Sequence, residues 1–118
     1  RITREARGLK DADLIVDAVL GTGLDRPVSD ELGSLIDAIN DAPTPVVSVD
    51  LPSGLDADSG QPRGAAVRAS LTTTLVGWKK GFLAPGVSSF TGAIEVVELD
   101  IPPEITRPLA LGDPPGEL

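Results

Sequence analysis

The sequence predicts an α/β fold built around a parallel β-sheet. Two short apolar runs, at positions 14–20 and 46–49, each bring an aspartate next to a glycine-containing loop, and a helix-sized segment separates them. Hydrophobic residues make up 41% of the chain but aromatic residues only 3%, so the core must be aliphatic, as in a parallel sheet. In an open sheet of this kind, the loops that follow neighbouring strands lie about 5 Å apart at the carboxyl edge, where ligands bind.

The first strand is predicted at positions 13–20. Hydrophobic residues are almost continuous there, and only Asp17 interrupts them. Such continuity indicates a strand that is buried on both faces. Because a buried carboxylate is costly unless it is paired, Asp17 needs a partner.

A helix is predicted at positions 29–40. Its apolar residues recur at the spacing of one helix face, at Leu32, Leu35, Ile36 and Ile39. Ser29 is a suitable N-cap, and two acidic residues follow in the first turn, where they favour the helix dipole. A stretch with two prolines at 42–45 ends the helix.

The second strand is predicted at 46–49, and Asp50 follows it directly. The crossover of a strand–helix–strand unit is right-handed in nearly all sheets, which places the helix on one face and both loops at the same edge. The sequence therefore predicts that Asp17 and Asp50 converge.

The rest of the chain is predicted to add turns and outer strands. Positions 54–64 are rich in turn residues, and strands are predicted at 71–76 and 93–99. The end of the chain carries Pro114-Pro-Gly116, and residues 105–118 are predicted to be a tail or an interdomain linker.

Composition excludes several functional classes. The net charge of −8 argues against nucleic-acid binding, because a phosphate backbone is bound through clusters of lysine and arginine. The only adjacent basic pair, Lys79 and Lys80, is predicted to lie in a solvated loop. The absence of cysteine and histidine excludes disulfides, thiolate nucleophiles, imidazole bases and Cys/His metal sites within this chain. No apolar run approaches the roughly 20 residues that span a bilayer, so a cytoplasmic protein without a membrane partner is expected.

Gly21-Thr-Gly23 does not form a dinucleotide-binding fingerprint, because the third glycine of that motif would fall at Arg26. A glycine pair after a strand is by itself only a weak sign of phosphate binding. The motif therefore gains meaning only from the segments around it.

Several segments, taken together and in this order, resemble the YjeF N-terminal domain family, the NAD(P)H-hydrate epimerases, across roughly residues 12–104. They are Val16-Asp-Ala-Val-Leu-Gly-Thr-Gly-Leu24, Arg26-Pro27, Ser48-Val-Asp-Leu-Pro-Ser-Gly-Leu-Asp-Ala-Asp-Ser-Gly60, Gly77-Trp-Lys-Lys-Gly81 and Asp100-Ile-Pro-Pro103. The resemblance implies a Rossmann-like three-layer sandwich with a mostly parallel sheet. It also implies an enzyme that interconverts the R and S forms of hydrated NADH and NADPH (NADHX and NADPHX), with a potassium ion in its site.

The resemblance also assigns roles to individual residues. Asp17 and Ser53 match the potassium-binding positions, and oxygen ligands of these types suit a hard cation. Asp50 matches the acid that contacts the substrate, and it is the candidate acid–base catalyst. Its alternative role is to cap local backbone N–H groups. The substrate-binding loop matches Gly21, Thr22, Gly23, Leu24, Asp25, Arg26 and Pro27.

One departure from the family pattern affects the expected activity. Family members carry an Asn-Asn-Gly-Gly-Asp-Gly loop after their first strand, and this chain has no such string. Residues 1–104 are therefore predicted to be the later part of the domain, with the N-terminal strands missing, and the chain alone is expected to be poorly active. Two alternatives stay open: a fragment of a bifunctional enzyme with a downstream ADP- or ATP-dependent dehydratase domain, and a non-catalytic binding or dimerisation module. A homodimer is a further open expectation.

Overall fold

A computed structural model of the chain describes residues 6–23 and 26–110. Four parallel strands form one sheet in the order β1-β2-β3-β4. They are β1 (Ile15–Asp17), β2 (Val46–Val49), β3 (Leu71–Leu75) and β4 (Ala93–Val97). A parallel sheet accompanied by helices confirms the predicted α/β, Rossmann-like fold.

Strand β1 is shorter than the predicted strand at 13–20. The pairing of β1 with β2 ends at Asp17, opposite Ser48. The amide of Val19 donates to Asp17 Oδ1 at 3.4 Å, and the amide of Leu20 donates to Ser53 Oγ at 2.8 Å. Side-chain oxygens therefore replace the sheet ladder and end the strand at Asp17.

The helix α1 (Asp30–Asp41) confirms the predicted helix and its cap. The hydroxyl of Ser29 accepts the backbone N–H of Leu32 at 3.3 Å. The buried residues of α1, Ile36 and Ile39, pack with Ile15 and Val46 of the sheet and with Val67. This packing fixes the crossover between β1 and β2 on one face of the sheet.

The two faces of the sheet differ in burial. Ser48 pairs in register with Thr72, and both are fully buried on the face that α1 covers. On the opposite face, Val16 is 60% exposed and Val97 is 38% exposed. The described part of the chain thus covers one face of the sheet and leaves the other partly open.

Strand β3 lies inside this sheet, between β2 and β4, and not at its outside as the sequence suggested. The connection from β2 to β3 contains no helix in the described structure; it is a turn-rich segment, as predicted.

Two single-turn helices, α2 (Ser88–Thr91) and α3 (Pro103–Thr106), and the 3₁₀ turns Lys80–Leu83 and Arg107–Leu109 complete the described elements. Nothing in α3 or in the turn that follows it is buried. No helix in the described ranges has the length and apolarity that a membrane crossing requires.

Candidate functional site

Asp17 is the last residue of β1, and its side chain is buried at the carboxyl edge of the sheet, with 1% exposed. Its Oδ2 accepts the Ser48 hydroxyl at 2.7 Å and the backbone N–H of Ser53 at 2.9 Å. Its Oδ1 accepts the Ser53 hydroxyl at 2.6 Å. The partner that a buried carboxylate requires is therefore a set of hydrogen-bond donors from the next strand and from the loop that follows it.

Ser53 joins the two loops that follow β1 and β2. It lies 36 residues from Asp17 in the sequence and is equally buried. Its hydroxyl also accepts the amide of Leu20 at 2.8 Å and lies 3.5 Å from the carbonyl oxygen of the same residue. The structure thus brings together Asp17 and Ser53, the two residues predicted to bind potassium.

The oxygen atoms around Ser53 are of the type that a hard monovalent cation prefers. The Ser53 hydroxyl oxygen lies 2.6 Å from Asp17 Oδ1 and 3.5 Å from the Leu20 carbonyl oxygen. All three atoms are oxygens, and none is nitrogen or sulfur. Within the described residues, no lysine or arginine forms a salt bridge with Asp17. A cation at this position would therefore compensate a buried carboxylate and meet the oxygen ligands that such ions prefer.

The predicted substrate-binding loop lies directly after this cluster. Gly21, Thr22 and Gly23 are exposed, as are Arg26 and Pro27, whereas Leu24 and Asp25 fall outside the described residues. No neighbouring atom lies within 4 Å of a Cβ placed on Gly21 or Gly23, so the loop backbone is open on that side. The loop is accessible at the sheet edge where a ligand would enter.

The turn-rich segment at 54–64 holds the two loops together. Asp56 accepts the backbone N–H groups of Asp58 at 2.9 Å and Ser59 at 2.8 Å, and its carboxylate pairs with the guanidinium of Arg63. The carbonyl of Arg63 then accepts the amide of Val28 at 2.9 Å, at the end of the substrate-binding loop. The Asp56–Arg63 pair therefore anchors a segment that contacts both loops.

Glycine is required at the start of this segment. Gly54 has a φ of +91°, and a Cβ there would lie 1.9 Å from the Ala65 carbonyl oxygen. Neither the left-handed backbone nor the close approach to Ala65 accommodates a side chain. The glycine therefore allows a sharp turn immediately after Ser53, and this turn fixes the Ser53 hydroxyl beside Asp17.

We expect Arg63→Met to lower the melting temperature at pH 7. The Ser59 amide, the Arg63 guanidinium and the Asp58 amide hold the pKa of Asp56 well below 3.8. Such a lowered pKa contributes stability that is present above pH 3.8 and is lost as the pH falls through the folded-state pKa. Arg63 acts on the ionised carboxylate, and the folded-state pKa of Asp56 lies far below 3.8, so the difference in melting temperature should persist at pH 4 and narrow only in stronger acid. Thermal scans at pH 7 and pH 4 measure it, and a difference that is absent at pH 7 or already lost at pH 4 would contradict the role of this ion pair.

Asp50 follows β2 and turns towards β3. It adopts a φ of +69°, a region that few residues other than glycine, asparagine and aspartate enter. Its Oδ1 accepts the amide of Leu75 at 3.0 Å and the hydroxyl of Thr74 at 3.3 Å, and it lies 2.9 Å from the ammonium of Lys79. Asp17 and Asp50 thus lie at the same edge on neighbouring strands, but their carboxylates have different partners.

The surroundings of Asp50 favour its ionised form. Burial alone raises the pKa of the carboxyl, but the Leu75 amide and the Lys79 ammonium outweigh it and hold the pKa below 3.8. At neutral pH the group is therefore a carboxylate that can accept a proton.

Two residues at the site were missed by the sequence reasoning. The prediction that Lys79 and Lys80 both lie in a solvated loop is wrong for Lys79, whose side chain is only 20% exposed, and correct for the exposed Lys80. The second residue is Ser48, for which the apolar strand pattern predicts no role in the site. A hydroxyl inside a buried strand needs an acceptor, and Asp17 needs a donor, so the sequence does contain the information that pairs them.

Comparisons with known proteins relate the chain to one family and to several named proteins. Residues 2–81 match the family described as YjeF-related protein N-terminus. The chain is 43% identical over 90 residues to the NAD(P)H-hydrate epimerase of Limosilactobacillus fermentum, covering 76% of this chain and 43% of that protein. It is 45% identical over 102 residues to the bifunctional NAD(P)H-hydrate repair enzyme Nnr of Pyrobaculum aerophilum, covering 86% of this chain and 20% of that protein. The chain thus spans less than half the length of either relative.

Proposed function

Because the chain belongs to the YjeF-related protein N-terminus family, we propose that it contributes to a cytoplasmic domain that epimerises NADHX and NADPHX. The observation that carries this proposal is the placement of Asp17, Ser53 and Asp50 at the carboxyl edge of two adjacent parallel strands. This is the edge at which open α/β sheets bind ligands. The relatives from L. fermentum and P. aerophilum, both named for NAD(P)H-hydrate chemistry, support the same substrate class.

The reaction needs a group that accepts and returns a proton. In the hydrated nicotinamide, a hydroxyl lies on a carbon next to a ring nitrogen, and inversion of that carbon requires a bond to break and form again. Whether water is lost or the ring opens, proton transfer accompanies the step. Asp50 is the candidate for this role because its surroundings keep it a carboxylate, at the same edge of the sheet as the exposed loop at 21–23.

Potassium is part of the proposal, with Asp17 and Ser53 as the residues that would hold it. When bound, the ion would supply a fixed positive charge beside the substrate-binding loop. The oxygen set described above supports this assignment, and the exposed backbone of residues 21–23 is available to the phosphates of the substrate.

The similarity to a bifunctional relative supports a linked dehydratase domain in the complete gene product. We also propose that the complete gene product forms a homodimer. Sedimentation of the complete gene product would give the mass of the assembly and so test this.

We expect the complete gene product to interconvert the two epimers of NADHX in a potassium-dependent manner. Starting from one epimer, chiral chromatography should show its approach to the equilibrium mixture. The rate should rise with KCl at an ionic strength held constant with tetramethylammonium chloride, and Asp17→Asn should remove that dependence because the ligand loses its charge. Asp37→Asn, on the exposed side of α1, is the matched control and should keep it. No interconversion under any condition would contradict the proposed function, and a rate independent of KCl would contradict the potassium site.

A further inference from the structure

The carboxylate of Asp50 is held through only one of its two oxygens. Oδ1 receives the Leu75 amide, the Thr74 hydroxyl and the Lys79 ammonium, at 3.0, 3.3 and 2.9 Å. Within residues 6–23 and 26–110, Oδ2 has no hydrogen-bond partner. Because 21% of the side chain is exposed, Oδ2 is the oxygen that remains available to a ligand.

Lys79 is the charged member of this donor set, and its ammonium contacts three oxygens of the protein. Besides contacting Asp50, Nζ donates to the carbonyl oxygens of Leu75 at 3.0 Å and Gly77 at 3.2 Å. Two of its three N–H groups therefore have a backbone acceptor, and the ion pair with Asp50 is its third contact. A flexible lysine side chain is thus fixed between the end of β3 and the carboxylate of Asp50, in contrast to the exposed Lys80.

We propose that Lys79 is a positioning residue for the epimerase reaction, which fixes the Asp50 carboxylate so that Oδ2 faces the substrate. The inference rests on the proposed function, since it takes Asp50 as the group that contacts the reacting nicotinamide. The contact from Leu75 alone leaves the carboxylate free to rotate about its Oδ1 hydrogen bond, and Thr74 contributes only a long one. Lys79 supplies both a short contact and an opposite charge.

The kinetic test replaces Lys79 in the complete gene product. Lys79→Met should lower kcat by about 10- to 100-fold, because a misplacement of about 1 Å in a catalytic group costs up to about 100-fold. KM should stay within about threefold, since the contacts of the Lys79 ammonium lie within the protein and it is given no contact with the substrate. Lys79→Arg keeps the positive charge but not the compact ammonium, and it should recover part of the lost kcat. Lys80→Met removes the neighbouring charge and is the matched control, with wild-type kcat and KM expected.

A second measurement follows the position of Asp50 without any activity. In protein labelled with ¹⁵N-leucine and ¹³C-aspartate, the scalar coupling between the Leu75 amide nitrogen and the Asp50 carboxyl carbon reports the hydrogen bond between them. This coupling should weaken in Lys79→Met but not in Lys80→Met. An active wild type with wild-type kcat in Lys79→Met, or an unchanged coupling in that variant, would overturn the proposal. If the wild type is inactive but the coupling still weakens in Lys79→Met, the proposed function and the role of Lys79 in it are overturned, while the fixing of Asp50 is supported.

Discussion

Asp50→Asn is expected to lower the kcat of epimerisation by about 10²- to 10⁴-fold, the usual contribution of a positioned acid–base group. The amide oxygen of asparagine can still accept the Leu75 N–H, but the side chain can no longer take up a proton. Asparagine is the appropriate replacement because it tolerates the φ of +69° at this position as well as aspartate does. The loss of rate should therefore reflect chemistry and not a strained backbone.

The matched control for this prediction is Asp58→Asn. Asp58 is exposed in the neighbouring turn, and only its backbone N–H takes part in the described contacts around Asp56. Steady-state kinetics on purified epimers would give kcat and KM for both variants, with wild-type values expected for the control. Unchanged turnover in Asp50→Asn would rule out Asp50 as the catalyst and would favour its alternative role as a cap for the Leu75 amide.

The central elements of the fold could be predicted because their signals are local. Strand β2 begins and ends where the apolar run predicts, and Ser29 caps α1 as expected. The end of β1 could not be predicted in this way. It depends on the amide of Leu20 meeting Ser53, a contact that spans 33 residues. A hydrophobic pattern continues through Leu20, but the backbone hydrogen bonds that define a strand do not.

The candidate site shows the same division between local and long-range information. The spacing of strands and glycine loops was enough to predict that Asp17 and Asp50 lie at one edge of the sheet. It could not predict that Asp50 turns to β3, because its partner Leu75 is 25 residues away. Lys79 was assigned to solvent on the usual exposure of lysines, a rule that fails where an ammonium can reach a carboxylate and two carbonyls.

The hydrogen bonds of Asp17 should also dominate the stability of the site, and Asp17→Ala is expected to reduce the free energy of unfolding by about 2–4 kcal/mol. The variant leaves three buried donors without their acceptor: the Ser48 hydroxyl and both the hydroxyl and the backbone N–H of Ser53. A hydroxyl can rotate, and that of Ser53 already lies 3.5 Å from the Leu20 carbonyl. The backbone N–H of Ser53 has no such freedom, so most of the cost falls on it.

Asp17→Asn separates this structural role from the proposed binding of potassium. Its amide oxygen can accept the Ser53 N–H and the Ser48 hydroxyl, while its NH₂ group donates to the Ser53 oxygen, so the loss of stability should be at most about half that of Asp17→Ala. Urea unfolding of the complete gene product in potassium-free buffer would compare the two variants, with Asp37→Ala on the exposed face of α1 as a control expected within about 0.5 kcal/mol of wild type. If Asp17→Ala were as stable as the control, the carboxylate would contribute nothing to holding the two loops together. If Asp17→Asn were as unstable as Asp17→Ala, the charge of Asp17 would stabilise the fold even without the cation.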